Sequence, residues 1–165
     1  MLNREFFNWC AHADHGARLT LRHGQARFAT HGLADRTEIT EGSFFDPLPS
    51  GADAYLLSDI LHDWDDEHAH HIFAQCAAAA TPSGRILILE PIGERRARTD
   101  MDLSMLAIYG GRERRIEEFR ALAATHHLIL DTITDLTDQR CLLEFRCDGT
   151  DAWCSRGSRP RSLQP

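Results

Sequence analysis

The 165-residue sequence contains no lysine: all 18 basic side chains are arginines, set against 25 acidic ones for a net charge of −7. The missing lysine reads as codon usage rather than mechanism. The acidic balance, with no basic cluster inside the main body, argues against nucleic acid as a partner, because such binding needs cations facing phosphates. Long apolar runs are also missing. Stretches such as Ala54 to Leu57 and Ile86 to Leu89 fall far below the roughly 20 residues a spanning helix requires. The N-terminus has Arg4 but no continuous apolar segment behind it, so neither a membrane anchor nor a signal peptide is expected and the cytoplasm is the expected location. The cysteines, at 10, 76, 141, 147 and 154, are odd in number and lack paired metal-ligand spacing, which leaves free thiols. Cys76 and Cys141 fall in apolar periodic segments and read as small buried hydrophobes. No segment repeats.

The composition is that of a folded globular chain, and its length suits one compact domain with a core. From about residue 24 to residue 146, strand-like and helix-like segments alternate, the pattern of an α/β domain with a mostly parallel sheet. Residues 1–23 carry no assignable pattern, and the Ser-, Gly-, Arg- and Pro-rich stretch 147–165 reads as a disordered tail. Gly24 to His31 predicts a short helix ending at Gly32, and Thr37 to Ile39 a brief strand. Asp53 to Leu61 is nearly all apolar, as strands buried on both faces are, so a central strand is expected there. Asp65 is placed to cap a helix whose apolar face is Ala69, Ile72, Phe73, Cys76 and Ala80, stopping at Thr81-Pro82-Ser83-Gly84. Arg85 to Glu90 is the next strand, again expected to be buried on both sides. A polar loop, a short helix over Asp102 to Tyr109, and a helix over Ile116 to Thr125 come next. Arg115 is a poor cap for that last helix. His127 to Thr134 and Cys141 to Arg146 predict a closing antiparallel hairpin.

Ligands of open α/β sheets gather at the carboxyl ends of the strands. His62 and Asp63 come after the expected central strand, Glu90 ends the next, and Glu113 lies just after Gly110-Gly111. A histidine with two carboxylates in reach is a general-base arrangement, since a carboxylate orients the ring and raises its basicity. On residues alone the plainer alternative stands beside it: a structural histidine, with Asp63 as a cap. A second cluster, His68, His70 and His71 near Asp63, Asp65, Asp66 and Glu67, has ligand types suited to a metal-dependent hydrolase. Helical geometry turns His70 away from the face shared by His68 and His71, and the acidic residues suit a helix start.

The run Leu56-Leu57-Ser58-Asp59-Ile60-Leu61-His62-Asp63-Trp64-Asp65-Asp66-Glu67 resembles the central motif of the S-adenosylmethionine-dependent O-methyltransferases of the plant caffeate type, which also occur in bacterial secondary metabolism. Its neighbours agree in order: Gly32-Leu33-Ala34-Asp35-Arg36, Gly42-Ser43-Phe44-Phe45 and Gly51-Ala52-Asp53 before it, then Gly84 to Glu90, Asp102 to Leu106 and Gly110-Gly111-Arg112-Glu113-Arg114 after it. The resemblance implies a Rossmann-like domain in which His62 takes the proton from a hydroxyl of a small molecule, expected to be aromatic, while Glu90 and Glu113 hold the imidazole. It implies S-adenosylmethionine as cofactor near Ser43, Phe44 and Ser58, an acceptor pocket at Asp63, Met105 and Tyr109, and no metal. Ser43 stands where the family usually has aspartate, and Ser58 where it often has lysine. The family's glycine-rich loop, its first two strands and its helical dimerisation domain have no counterpart in Met1 to His23. The expected fold is therefore a partial methyltransferase domain, and a homodimer would have to form by other means. A non-enzymatic relic, or a half-domain needing a partner, is the alternative to an autonomous enzyme, and an exposed sheet edge would favour association.

Overall fold

The computed structural model describes residues 25–38, 42–93, 111–137 and 140–149. The expected segment over Asp102 to Tyr109, with Met105 and Tyr109, lies outside these residues, as do Met1 to His23 and residues 150–165. The chain divides into two units, Met1–Pro47 and Leu48–Pro165.

In the first unit residues 25–30 are helical. The helix closes as expected at Gly32, whose φ of +67° is a left-handed conformation open to glycine. The amides of Gly32 and Leu33 return to the carbonyls of Ala29 and Phe28 at 3.1 and 2.8 Å. A single 3-10 turn, Ala34–Arg36, comes next. The expected strand at Thr37 is not formed: Thr37 is extended, but its hydroxyl folds back to donate to Leu33 O at 3.0 Å and no ladder includes residues 37–38. Ile39 lies outside the described residues.

The second unit carries a four-stranded sheet in the order β1-β2-β4-β3, where β1 is Ala54–Ser58, β2 Arg85–Glu90, β3 Leu128–Asp135 and β4 Cys141–Cys147. Only β1 and β2 are parallel; β2 with β4 and β3 with β4 are antiparallel. The sheet is thus mixed rather than mostly parallel, because the closing hairpin supplies half its strands. The hairpin itself lies where the sequence pattern predicts it, with a register shift between Leu130 and Thr132.

Register explains a second difference. Tyr55 and Leu57 share a face with Ile86, Ile88 and Glu90, and with Cys141, Leu143 and Phe145 on β4. That face is the core side, where all but Tyr55 are buried. The other face presents Leu56, Leu87, Leu89 and Leu142, none of them buried, and Leu56 is 50% exposed. Among the described residues neither β1 nor β2 is buried on both sides, and β1 stands at the edge of the sheet rather than at its centre. The apolar run is written for two-sided cover, but among the described residues one face and one edge of β1 have none.

Helix α1, Asp66–Ala79, begins as its sequence dictates. Asp65 sits extended before it and accepts from His68 N–H at 2.9 Å. Ala69, Ile72, Phe73 and Cys76 are buried, and Phe73 meets Phe145 of β4 edge-on at 5.6 Å. Ala80 is the C-cap and only half-buried. Replacing Asp65 with Ala is expected to cost about 1 kcal/mol, read as a lowered denaturation midpoint in urea. Helix α2, Ile116–Ala124, buries Phe119, Leu122 and Ala123. Arg115 supplies no side-chain acceptor, as expected, but Glu118 repairs the start by accepting from Arg115 N–H at 2.8 Å. His127 then takes a left-handed turn, φ +57°, before β3. No described helix is long and apolar enough to cross a membrane.

Candidate active site

Parallel pairing brings the ends of β1 and β2 side by side, and the site is built where these two strands end. After Ser58, Asp59 enters a left-handed conformation, φ +54°, a strain that aspartate tolerates better than most residues. Its amide bonds Leu89 O at 3.0 Å, and its carboxylate meets Arg140 at 2.8 Å. The chain then turns sharply into a 3-10 turn, Leu61–Asp63, that carries the histidine.

Glu90, fully buried at the end of β2, holds this turn from beneath. Its Oε1 accepts from the amides of Ile60 at 3.1 Å, His62 at 3.3 Å and Leu61 between them. Its Oε2 lies 3.9 Å from His62 Nδ1. Both of those atoms are buried without a hydrogen-bond partner, and a small approach would bring them within hydrogen-bond distance of each other. On the other side of the ring, Asp63 Oδ1 stands 3.4 Å from His62 Nε2. The imidazole is 12% exposed, so its outer nitrogen is the part a ligand could reach.

Burial raises the Glu90 carboxyl from 4.5 to about 7, against the lowering effect of its three amide donors and of Arg114. Burial likewise raises Asp63, with His62 opposing it. For Glu90 the consequence for stability has a definite sign. Between pH 4.5 and about 7 the folded protein holds a proton that the unfolded chain has released, so stability falls as pH rises across that window and levels off above it. Glu90→Gln keeps an acceptor for the amides and removes the charge. It is expected to be more stable than the wild type at pH 8 by on the order of 2–3 kcal/mol, and nearly equal to it below the window. Denaturant titrations at the two pH values measure this, and equal stability at pH 8 would refute it.

Two further residues shape the site, and sequence patterning assigns a role to neither. Arg114 is 0% exposed. Its guanidinium donates to Leu61 O at 2.6 Å, Trp64 O at 2.8 Å and Asp66 Oδ1 at 2.9 and 3.0 Å. It thereby ties both ends of the histidine turn to the start of α1, and its bonds hold Asp66 below the usual carboxylate range against the effect of burial. Gly111 lies against the same turn: a Cβ there would overlap His62 O and stand 2.5 and 2.7 Å from Asp63 C and Trp64 N. In the sequence Gly110-Gly111 only marks the place before Glu113; the close approach depends on packing between segments about fifty residues apart.

The structure therefore brings His62, Asp63 and Glu90 together. Glu113 is buried two residues beyond Gly111. Ser58 is exposed at the end of β1, on the uncovered face. Ser43 and Phe44 belong to the first unit, where Phe44 is buried and the Ser43 hydroxyl accepts from Phe45 N–H at 3.3 Å. The histidine-rich start of α1 does not form a shared centre. His68 pairs with Asp65 at 2.7 Å, His71 with Gln75 at 3.1 Å, and His70 with His126 at 3.3 Å, in three separate contacts. Among the described residues no group of three or more His, Cys, Asp or Glu is arranged to hold a metal.

Comparison with known proteins converges on one family. A family model described as an O-methyltransferase domain matches residues 21–127. The 2,7-dihydroxy-5-methyl-1-naphthoate 7-O-methyltransferase of Streptomyces carzinostaticus is 50% identical over 99 residues, covering 59% of this chain and 30% of that protein. Aclacinomycin 10-hydroxylase RdmB of Streptomyces purpurascens is 44% identical over 110 residues, 63% of this chain and 29% of its own. Among solved structures, the O-methyltransferase NcsB1 from neocarzinostatin biosynthesis, in complex with S-adenosyl-L-homocysteine and 1,4-dihydroxy-2-naphthoic acid, superposes with a TM-score of 0.73 at 39% identity, over 77% of this chain and 39% of that one. The chain spans about 30% of the length of these two curated relatives.

Proposed function

The chain belongs to the O-methyltransferase domain family, and on that premise we propose that it forms the proton-accepting centre of an S-adenosylmethionine-dependent methyl transfer to a hydroxyl of a small aromatic molecule. The observation that carries this is the placement of His62 between two carboxylates, with its Nδ1 toward buried Glu90 and its Nε2 at the accessible side. A hydroxyl set against Nε2 loses its proton there, and Glu90 orients the ring and stabilises the imidazolium that results. Asp63, beside Nε2, is placed to accept a hydrogen bond from the acceptor molecule or to return the proton to solvent. Glu113 is assigned to the same orienting task as Glu90, and Met105 and Tyr109 to the acceptor wall.

Ser43, Phe44 and Ser58 are the residues assigned to S-adenosylmethionine, and their chemistry suits it: two neutral hydroxyls for polar edges and one aromatic ring for a flat purine. When bound, that cofactor supplies a methyl group made electrophilic by its positive sulfur. The protein's share is to orient the acceptor and remove its proton.

Calorimetric titration with S-adenosylhomocysteine, followed by incubation with S-adenosylmethionine and the dihydroxynaphthoates named for its relatives, tests the proposal. Saturable binding and a methylated hydroxyl are expected, and absence of both would overturn it. Formation of a hydroxylated rather than methylated product would move the chain toward the relative named as a hydroxylase.

A second reading rests on the edge of β1, unpaired among the described residues, and on the half-exposed Leu56. Such an edge pairs readily with another strand, which favours a half-domain that completes its sheet against a partner, a second copy included. Sedimentation of the purified chain decides it: a monomer that binds S-adenosylhomocysteine would rule this reading out.

A further inference from the structure

Two fully buried ionisable side chains lie against one turn. Glu90, at the end of β2, and Arg114, in the segment before α2, are each 0% exposed. They grip the same residue at its two backbone polar groups: the Leu61 N–H donates to Glu90 Oε1, and the Leu61 carbonyl accepts from Arg114 at 2.6 Å. The amides of Ile60 and His62 also donate to Glu90, and Trp64 O also accepts from Arg114. The His62 turn is thus held between an acid and a cation. Neutral side chains could satisfy the same amides and carbonyls at a far lower desolvation cost, so the use of ionisable groups needs a reason beyond hydrogen bonding.

From this bracketing we infer that Arg114 is a positioning residue for proton removal at His62: it holds the turn through the Leu61 peptide and is the counter-charge that keeps Glu90 anionic behind the imidazole. The inference rests on the role proposed above for His62. An anionic Glu90 can only accept, so it favours the ring form that carries its proton on Nδ1 and leaves the Nε2 lone pair for the substrate hydroxyl. A protonated Glu90 would donate to Nδ1 instead, and the neutral ring would then carry its proton on Nε2, where it cannot act as a base. A guanidinium is a permanent cation with its donors in a fixed fork, so it can serve two carbonyls and a carboxylate at once. Asp66 receives two of those donors, but its side chain is 57% exposed and water screens that pair, while Nη1 is directed inward at Leu61 O. The field of Arg114 joins the three amides in opposing the effect of burial at Glu90. The other titratable groups around Glu90 are His62 and Asp63 on the turn, buried Glu113 next to Arg114 in the chain, and its register partner Cys141 on β4, whose thiol donates to Asp135. Asp63 and Glu113 are acids and disfavour a further anion, which leaves the permanent positive charge to Arg114.

Carboxyl carbon-13 NMR of the full chain labelled at glutamate, titrated with no substrate present, tests the inference. The Glu90 signal, assigned by its loss in Glu90→Gln, is expected to titrate at about 7 in the wild type. In Arg114→Gln its midpoint should rise by about one pH unit, and in Arg114→Lys, which keeps the charge but not the fork, by clearly less. Because removal of the guanidinium could unfold the chain, the wild type gives a second reading. The Arg114 Nε–H proton signal should shift with the Glu90 midpoint, in addition to any shift with Asp66, whose midpoint lies below the usual carboxylate range. With S-adenosylmethionine and a dihydroxynaphthoate, Arg114→Lys should lower kcat by up to about a hundredfold with the affinity for S-adenosylhomocysteine unchanged. An unmoved Glu90 midpoint in folded Arg114→Gln, or a wild-type Arg114 signal blind to Glu90, would overturn the inference even in an active enzyme. Both couplings present in a wild type that methylates nothing would instead refute the role proposed for His62.

Discussion

His62→Gln is expected to lower methyl transfer by about 10²–10⁴-fold while leaving the affinity for S-adenosylhomocysteine unchanged. Glutamine fills a similar volume but cannot take a proton at the accessible side of the turn, so the loss isolates the chemical step from binding. The backbone of the turn does not depend on the imidazole: Glu90 holds the amides of residues 60–62, and Arg114 holds the carbonyls of Leu61 and Trp64. The variant should therefore melt near the wild-type temperature. Single-turnover rates with a naphthol-type acceptor, beside calorimetry with S-adenosylhomocysteine, separate the cases. Equal loss of rate and cofactor affinity would make His62 a structural residue, and an unchanged rate would move the base elsewhere.

Much of this arrangement is legible in the sequence because its causes are local. Asp65 declares a helix start through its short acceptor side chain, Ala69, Ile72, Phe73 and Cys76 declare the buried face by their spacing, and Pro82 and Gly84 declare the end. The motif around His62 places the proposed base, and the strand ending in Glu90 places its neighbour. The rest depends on segments meeting at long range. The apolar runs at residues 54–58 and 85–90 are written for cover on both faces, and sequence alone could not show that Leu56 would stand half exposed on a strand that lies at the sheet's edge among the described residues. Glu90 reads as a catalytic carboxylate, but its first use in the structure is as an acceptor for three backbone amides, which no side-chain pattern announces. His70 and His126 lie 56 positions apart and become partners only through helix packing.

Gly111 is the clearest instance of that long-range dependence, and its replacement carries the second large expected effect. The atoms that would meet a Cβ at residue 111 are the carbonyl oxygen of His62, the carbonyl carbon of Asp63 and the amide nitrogen of Trp64. All three belong to the backbone of the turn that carries His62, so none can swing aside as a flexible side-chain tip could. Gly111→Ala must therefore displace that turn or the segment leading to Glu113 and Arg114. Displacement in either direction pulls on the Arg114 bonds to Leu61 O and Trp64 O and on the amide bonds to Glu90. The expected cost is about 3 kcal/mol, at the upper end for inserting one methyl group into a packed site. Activity should fall far more than a loss of folded protein explains, because His62 moves relative to Glu90. Gly93→Ala serves as the control: the nearest atom to its added Cβ is Glu113 O at 3.4 Å, an ordinary contact, so near-wild-type stability is expected there. Urea denaturation and turnover of the two variants, measured side by side, test the idea. A Gly111→Ala protein as stable and active as Gly93→Ala would show that the histidine turn does not need the close approach that only glycine allows.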